Sequence, residues 1–307
     1  MTYSSGMTWV VLAVVAIVWA LAELKSRRSD GELQKVHPYR RALWFIMPTR
    51  NESVVYFDSA VDAENLLSYV ETARESVGAN LTHCIVAAVA TGLAENPQMN
   101  QFVSGRRLYA RKGRWVTFSM KRKKLAKKAR LHAVKLEMPD GETFAQLVGR
   151  INDKIDVGRS GKKLYSDKEY DLLSLLPRPV FSVGLRFLYA LDHYNLLPPS
   201  FVANDPMFCS VFVTNLGSLH MGAGFHHLFE WGNCPLFMMI GEVEERAIVR
   251  DGEVVVRKIL PIRYSYDERI DDGLTARFGI ETVKRVLEDP DRWFAKDRTL
   301  TDPTVGG

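Results

Sequence analysis

The sequence predicts an α/β (α+β) domain preceded by one transmembrane helix, and three features of the chain support this. Residues 2–22 carry no charged side chain, and residues 9–21 are almost wholly Val, Ala, Leu, Ile and Trp. After residue 38, segments with the two-residue period of strands alternate with segments of helical periodicity. The chain has 307 residues, 47% of them hydrophobic, and one core-forming domain of ~260 residues is within the usual range. We assign residues 1–24 to a membrane anchor, 25–38 to a basic polar linker and 39–300 to the folded domain.

The apolar N-terminal run is long enough for a membrane span, because about twenty residues at ~1.5 Å each cross the hydrocarbon core. A cleaved signal peptide is the alternative, since residues 20–22, Ala-Leu-Ala, have the form of a cleavage site. No basic residue precedes the run, whereas Lys25, Arg27 and Arg28 follow it. This charge distribution favours an uncleaved, single-pass anchor with the domain on the cytoplasmic side.

The first half of the domain reads as strands and helices in turn. Residues 40–47 and 54–58 are rich in aromatic and β-branched residues, which predicts two strands. Helical spacing of apolar residues predicts a helix over 63–77. A second helix is predicted from Thr82 as its cap to Asn96, and it is apolar on nearly all sides, which is typical of a buried helix. His83, in its first turn, is interpreted as a capping or surface residue.

A basic run follows two further predicted strands at 108–110 and 115–120. Residues 121–130 read K-R-K-K-L-A-K-K-A-R, within a chain of formal net charge +5. Such a run is commonly a solvated loop, but it could also contact anionic lipid headgroups or the phosphates of coenzyme A. We expect no nucleic-acid partner, because no recognition motif accompanies the run.

An amphipathic helix is predicted over 144–155, and an apolar insertion follows at 170–202. Prolines and the charged Arg186 and Asp192 interrupt the insertion, so a second membrane span is not expected. It could be a helix that covers the core, an apolar wall for a long acyl chain, or a face that rests on a membrane.

The cysteines give no sign of a metal site or a disulfide framework. Cys84, Cys209 and Cys234 lack metal-ligand spacing, and their number is odd. We therefore expect no metal and no bound cofactor. Free thiols also fit a reducing compartment.

Residues 265–273, S-Y-D-E-R-I-D-D-G, form the most informative stretch of the chain. They resemble the S-x-D-H-R-x-x-D-G signature of the dihydrolipoyl acyltransferase core domain of 2-oxoacid dehydrogenase complexes. The H-x-x-x-D-G part is shared with chloramphenicol acetyltransferases. In those families the histidine is the general base that takes a proton from a thiol or hydroxyl as it attacks a thioester. Here that position is Glu268, while Asp272 and Gly273 are retained.

Other segments extend this resemblance over most of residues 37–295, in the order of the family. They are V-T-N-L-G at 213–217, the strand, turn and strand of 240–256, N-P-Q-M-N at 96–100, and L-E-D-P at 287–290. The resemblance implies a chloramphenicol acetyltransferase-like two-layer fold with a mixed sheet. It also implies a homotrimer, because the family forms its active site between neighbouring subunits, and a coenzyme A thioester as co-substrate.

The resemblance also suggests roles for individual residues. It implies that Asp272 orients the site by pairing with an arginine, and that a strand hydroxyl stabilises the oxyanion. Ser210 and Thr214 are both candidates for that hydroxyl, because alternation places them on one strand face. Either could equally be a strand hydroxyl bonded to backbone.

The resemblance leaves the identity of the base open between two kinds of side chain, because a carboxylate stands where the family has an imidazole. A glutamate ordinarily titrates near ~4.3 and a thiol near ~8.5, so a glutamate serves as base only where burial raises its pKa. Glu268 is one candidate, but a close Arg263 or Arg269 would favour its charged form and so oppose that requirement. His226 and His227 could instead supply an imidazole, or be ordinary surface or interface histidines.

Two functions remain open on the sequence alone. The first is a membrane-anchored acyltransferase that moves an acyl group from coenzyme A or another thioester to an acceptor. The second is a catalytically inactive trimer that binds an acyl ligand or acts as a scaffold at the membrane.

Overall fold

The computed structural model describes residues 3–121, 131–159 and 176–301. Most of the basic run at 121–130, and residues 170–175 of the apolar insertion, lie outside these ranges. The helices are α1 Tyr3–Leu24, α2 Pro38–Ile46, α3 Glu64–Val77, α4 Leu81–Glu95, α5 Phe144–Arg159, α6 Arg178–His193, α7 Pro199–Asn204, α8 Gly273–Glu288 and α9 Pro290–Trp293. The strands are β1 Gly31–Leu33, β2 Val54–Asp62, β3 Gln101–Ser104, β4 Arg107–Arg111, β5 Trp115–Lys121, β6 Leu131–Glu137, β7 Val211–Asn215, β8 Leu236–Ile240, β9 Glu244–Arg250 and β10 Glu253–Asp267.

The main sheet has seven strands in the order β2-β10-β8-β7-β5-β6, with β9 paired to the first half of β10. The pairs β5–β7 and β7–β8 are parallel and the other pairs are antiparallel. Strands β1, β4 and β3 form a separate three-stranded sheet. The predicted α/β class with a mixed sheet is confirmed.

Helices α3, α4, α5 and α8 pack on one face of the main sheet and enclose the core. Helix α4 is the most deeply buried, because its small and branched apolar residues leave no polar stripe. Its cap is Asn80 rather than the predicted Thr82: the Asn80 side chain accepts from Thr82 N at 2.9 Å. His83 completes this cap by accepting from Asn80 N at 3.0 Å, and burial lowers the pKa of its imidazole. His83 is thus a capping residue, and it is buried rather than on the surface.

The opposite face of the sheet carries a smaller apolar cluster. Its buried members are Cys209, Phe212, Leu228, Cys234, Phe237 and Met239. Alternation along β7 explains the division, since Val211 and Val213 belong to the helix-covered core and Phe212 to this second cluster. The three cysteines are free and buried.

Two predictions for the N-terminal part were wrong. Residues 40–47 lie mostly in helix α2 rather than a strand, because Pro38 preorganises the first turn and His37 caps it. The aromatic residues that suggested a strand bury only Trp44. Residues 25–38 are also not a simple linker, because β1 pairs with β4 and Arg28 is only 9% exposed.

Arg28 fixes this segment to the domain through a buried polar cluster. Its guanidinium forms ion pairs at 2.9 Å with both Asp30 and Asp192, and it donates to Ser104 Oγ at 2.9 Å. Burial alone would raise the pKa of Asp30, but the attraction of Arg28 and its hydrogen bond outweigh this and lower it. Asn195 donates to Lys25 O at 2.8 Å, which extends the attachment toward α1.

Helix α1 is long and apolar enough to cross a membrane. Its stretch Met7–Leu24 has a mean hydropathy of 2.2, and none of it is buried within the chain. A signal sequence shares these properties, so the choice of an anchor stays a prediction. Helices α3 and α4, which meet at a bend of 103°, are together also long and apolar enough to span a membrane, but α4 is the central core helix.

The described part of the apolar insertion forms helices α6 and α7. Leu188 and Leu191 near the end of α6 pack against Leu197, Val202 and Phe208. The covering-helix interpretation therefore holds for the C-terminal half of α6. The helix leaves Val180, Phe181 and Val183 of its N-terminal half exposed, and also Phe187 just past its middle.

Candidate functional site

The loop after β10 carries position 268 and lies at one end of the main sheet. Strand β10 is paired on both sides, by β2 and by β8, up to its last residues. Asp267 N donates to Pro235 O at 3.0 Å, and Glu268 N donates to Ser53 O at 3.1 Å. The backbone at Glu268 is therefore tied to the segments that lead into both neighbouring strands.

A buried ion pair holds the residues on either side of Glu268. Asp267 is fully buried and Arg269 is 5% exposed. The Asp267 carboxylate accepts from Arg269 Nε and Nη2, each at 2.8 Å, and from Ser53 Oγ at 2.8 Å. Arg269 also donates to the carbonyls of Met47 and Pro48. This arrangement is bidentate and rigid, so the loop has a defined geometry without any ligand.

The Glu268 side chain is exposed between these two buried residues. The arginines that were expected to compete for it are engaged elsewhere, since Arg269 pairs with Asp267 and Arg263 pairs with Asp58. Glu268 has no side-chain hydrogen bond or ion pair within the described ranges. The burial that a glutamate base requires is thus absent from a single chain, and only a second copy or a ligand could supply it.

Asp272 is the N-cap of α8. Its Oδ1 accepts from Leu274 N at 3.1 Å and from Thr275 N at 3.2 Å. The expected pairing of Asp272 with an arginine is corrected, because the neighbouring carboxylates make those pairs: Asp267 with Arg269, and Asp271 with Arg40 at 2.9 Å. A helix N-terminus attracts a short acidic side chain for its free backbone N–H groups, which explains this placement.

The two candidate oxyanion hydroxyls have different surroundings. Ser210 is fully buried, donates to Asn100 Oδ1 at 2.6 Å and accepts from Trp115 N at 2.9 Å. Its single hydroxyl hydrogen is therefore already used. Thr214 is partly exposed, and its Oγ1 lies 3.1 Å from Ser119 Oγ. Two hydroxyls that share one hydrogen bond leave one O–H free to donate, so Thr214 with Ser119 is the better candidate.

Ser119 is a residue that the sequence reasoning missed. Strands β5 and β7 are parallel with Phe118 opposite Val213, so the next pair in register is Ser119 and Thr214. Strand alternation along β5 could have placed Ser119 on the same face as Thr214. The parallel pairing itself joins segments 95 residues apart, and local patterning cannot show it.

A single chain keeps Glu268 away from Thr214. Thr214 on β7 pairs with Met239 on β8, and Met239 pairs in turn with Arg263 on β10. Arg263 lies five residues before Glu268 along the chain. At ~3.4 Å per residue the two positions are separated by about 17 Å along the sheet. A site that uses both residues must therefore be completed by another copy of the chain.

His226 lies closer to Thr214 than Glu268 does. Its carbonyl accepts from Ser265 Oγ, and its ring stacks on Phe237 with centroids 4.2 Å apart. Phe237 is paired with Phe212, two residues before Thr214, which places the His226 ring about 7 Å along the sheet from Thr214. The structure thus brings His226 and Thr214 to the same region of one sheet face.

The hydrogen bonds of both histidines define their tautomers. His226 Nδ1 lies 2.6 Å from His227 O, and His227 Nδ1 lies 2.9 Å from Leu228 O. A carbonyl only accepts, so each Nδ1 carries the hydrogen and each neutral ring keeps a lone pair on Nε2. His226 is half-buried and His227 is exposed. An imidazole with a free Nε2 lone pair is the form that a general base needs.

Two glycines explain why the 213–217 and 240–256 segments fit together. A Cβ on Gly217 would lie 2.4 Å from Gly241 O, and a Cβ on Gly241 would lie 2.4 Å from Ala223 N. No side chain is tolerated at either contact, because the blocking atoms belong to backbone. The loop after β7 and the loop after β8 are therefore packed directly against each other beside Thr214.

Comparison with known proteins confirms the resemblance inferred from the motifs. Residues 207–295 match the family model of the 2-oxoacid dehydrogenases acyltransferase (catalytic domain). The dihydrolipoyllysine-residue acetyltransferase component of the pyruvate dehydrogenase complex from Bacillus subtilis (strain 168) is 40% identical over 80 residues. That match covers 25% of this chain and 17% of the Bacillus protein, so it concerns a small part of the relative.

Solved structures support the fold over nearly the whole domain. A probable dihydrolipoamide acetyltransferase from Listeria monocytogenes 4b F2365 aligns with a TM-score of 0.57 and 17% identity, over 88% of this chain and 98% of that one. The Azotobacter vinelandii dihydrolipoamide acetyltransferase aligns with a TM-score of 0.55 and 18% identity, over 85% and 94% of the two chains. At these identities the likeness establishes the fold.

Proposed function

We propose that this chain is a membrane-anchored acyltransferase that moves an acyl group from coenzyme A or another thioester to an acceptor. The observation that carries the proposal is the loop of position 268, which a buried ion pair holds in a fixed geometry at the sheet end. The family match at 207–295 supports it, because this range includes all six predicted site residues. The relatives are acetyl-, succinyl- and other acyltransferases of dihydrolipoyllysine or lipoamide.

The chemistry requires a base for the attacking thiol or hydroxyl and a donor for the oxyanion. Thr214, with its hydroxyl network to Ser119, supplies the donor. The base is either Glu268, once a neighbouring copy covers it, or His226 through Nε2. The first arrangement needs a trimer whose site is shared between subunits, since Glu268 and Thr214 lie far apart in one chain. The catalytic step would leave the acyl group on the acceptor and release coenzyme A with a free thiol.

The membrane part of the proposal depends on α1. Its apolar length and the basic residues directly after it favour a single span with the domain on the cytoplasmic side. Lys25 and Arg27 are exposed, so both charges are available to the membrane surface. The burial of all three cysteines as free thiols fits the same side.

A second candidate function is a trimer that binds an acyl ligand without turning it over. The exposed carboxylate of Glu268, at the position where the resembled families have an imidazole, favours this alternative. Such a protein would retain the fold and the region that binds the acyl ligand, but it would lack a base for the proton transfer.

A free-thiol release assay separates these functions. Purified full-length protein in mild detergent is incubated with acyl-coenzyme A donors of increasing chain length and a small thiol acceptor. If Glu268 is the base, Glu268→Gln should lower the rate by about 10²–10⁴ while acyl-coenzyme A binding is retained. If His226 is the base, Glu268→Gln should be tolerated and His226→Ala should show the loss instead.

Glu71→Gln is the matched control, because Glu71 is another exposed glutamate, on the surface of α3. It should leave turnover and binding unchanged. Binding of acyl-coenzyme A with no turnover of any donor would reject the enzyme and favour the binding trimer. Absence of both turnover and binding would reject both candidate functions.

A further inference from the structure

We propose that the exposed apolar face of α6 rests in the headgroup region of the bilayer that α1 enters, as an interfacial helix beside the span. The proposal deepens the membrane anchoring described above and rests on it. The occupant of this face is the lipid surface itself, and a second copy of the chain is the alternative that the test must distinguish.

The first observation is an exposed apolar face of α6 that no described element of the chain covers. No residue of this 16-residue helix is buried. Val180, Val183 and Phe187 recur at helical spacing on one face and are 52%, 66% and 62% exposed. Large apolar side chains grouped on an exposed face indicate an interaction surface rather than scattered surface residues.

The second observation is that α6 ends where α1 ends. The Arg28 guanidinium, four residues after the end of α1, pairs with Asp192 of α6 at 2.9 Å. Asn195, just after α6, donates to Lys25 O at 2.8 Å. These contacts hold the C-terminal end of α6 against the point where the chain leaves the predicted span.

The third observation is the turn between β3 and β4, residues 104–107, which contacts three apolar elements. Arg107 donates to Glu23 O in α1. Ser104 Oγ donates to Asp192 Oδ2 of α6 at 3.2 Å. The Arg106 guanidinium lies 4.7 Å from the ring centroid of Phe45, an exposed residue of α2. The turn therefore contacts the end of the predicted span, α6 and α2, which places these three elements at one end of the domain.

The charges around this surface suit a lipid headgroup layer. Lys25, Arg27, Arg106, Arg178 and Arg186 are exposed basic residues of these elements. The nearby acids are already engaged, Asp192 with Arg28 and Glu23 with Arg107. Basic residues next to an apolar face are typical of interfacial helices that bind anionic lipids.

The test uses the full-length protein in vesicles of phosphatidylcholine and phosphatidylglycerol. Val183→Cys and Phe187→Cys are labelled separately with an environment-sensitive fluorophore, and the buried native cysteines leave the new thiols as the reactive ones. Val254→Cys, on the exposed face of the β9–β10 hairpin, is the matched control. We expect a blue-shifted emission at 183 and 187 that brominated lipids quench, and neither effect at 254.

The outcomes separate this inference from the anchoring on which it rests. Protein that fails to float with vesicles after an alkaline wash contradicts the anchor. Protein that floats, but whose labels at 183 and 187 are quenched by aqueous iodide and not by brominated lipid, overturns the interfacial helix alone. Labels that neither quencher reaches show that a second copy covers α6, which also overturns the proposal.

Discussion

Removing the Asp267 carboxylate should destabilise the domain far more than removing a surface charge. Asp267 is fully buried and makes two 2.8 Å hydrogen bonds to the Arg269 guanidinium and one to Ser53 Oγ. Asp267→Ala leaves a buried guanidinium whose remaining partners, among the described residues, are the carbonyls of Met47 and Pro48. Loss of one member of such a pair typically costs ~3–5 kcal/mol, and the two remaining carbonyls place the expected loss near ~3 kcal/mol.

A double-mutant cycle measures how much of this loss belongs to the pair. Arg269→Met alone leaves the carboxylate with Ser53 Oγ and the backbone N–H of position 269. The double variant Asp267→Ala, Arg269→Met buries no unpaired charge, so its loss should be smaller than the sum of the single losses by ~1–3 kcal/mol.

The assay is urea unfolding in mild detergent, followed by circular dichroism and tryptophan fluorescence. Arg246→Ala is the control, because Arg246 pairs with Glu244 on the surface and such pairs are worth about 0–1 kcal/mol. A loss for Asp267→Ala as small as that of the control, or additive single losses, would refute the idea that this ion pair fixes the loop of Glu268.

Three further predictions follow from other parts of the structure. Burial lowers the pKa of the Lys135 ammonium from 10.5 to about 8. At pH values between these two pKa values, the unfolded state therefore binds more protons than the folded state. The free energy of unfolding should then rise with pH across that window, by on the order of 2 kcal/mol, and Lys135→Met should remove the rise in urea midpoints. Asp272→Ala should lower the unfolding free energy by ~1 kcal/mol through loss of the α8 cap, and Asp272→Asn should restore most of it, as read from the same urea curves. Light scattering in mild detergent should give three copies per particle, and a clean monomer would exclude a site shared by Glu268 and Thr214.

Much of the fold could be predicted because its periodic patterns are strong. Helices α3 and α4 follow from apolar spacing, and β9, β10 and their turn were implied by the family resemblance of residues 240–256. Helix α2 was mistaken for a strand because its aromatic residues resemble strand composition. Pro38 at its first turn was a local helix-start signal that outweighs this composition.

The candidate site shows the same division between local and distant information. The Asp272 cap could have been predicted from an aspartate just before a helix start. The pairing of Asp267 with Arg269 involves neighbours in sequence, but its burial depends on Ser53, 214 residues away from Asp267. Likewise, Arg28 looked like part of a polar linker because its partner Asp192 is 164 residues distant. The sequence patterns could not show that these charged residues are buried, because their partners lie far away along the chain.

The tie between α1 and the domain has a mechanical consequence for a membrane-anchored chain. Arg28 lies four residues after Leu24, the last of the helix, and this connection reaches at most about 14 Å when extended. Hydrogen bonds hold both ends of this connection, so if α1 spans a membrane as proposed, the domain cannot swivel freely on it. A change in the tilt of α1, such as a thicker or thinner bilayer imposes, is then transmitted as a rotation of the entire sheet relative to the membrane plane. Bilayer thickness would thereby set the direction in which the loop of Glu268 faces an incoming acceptor.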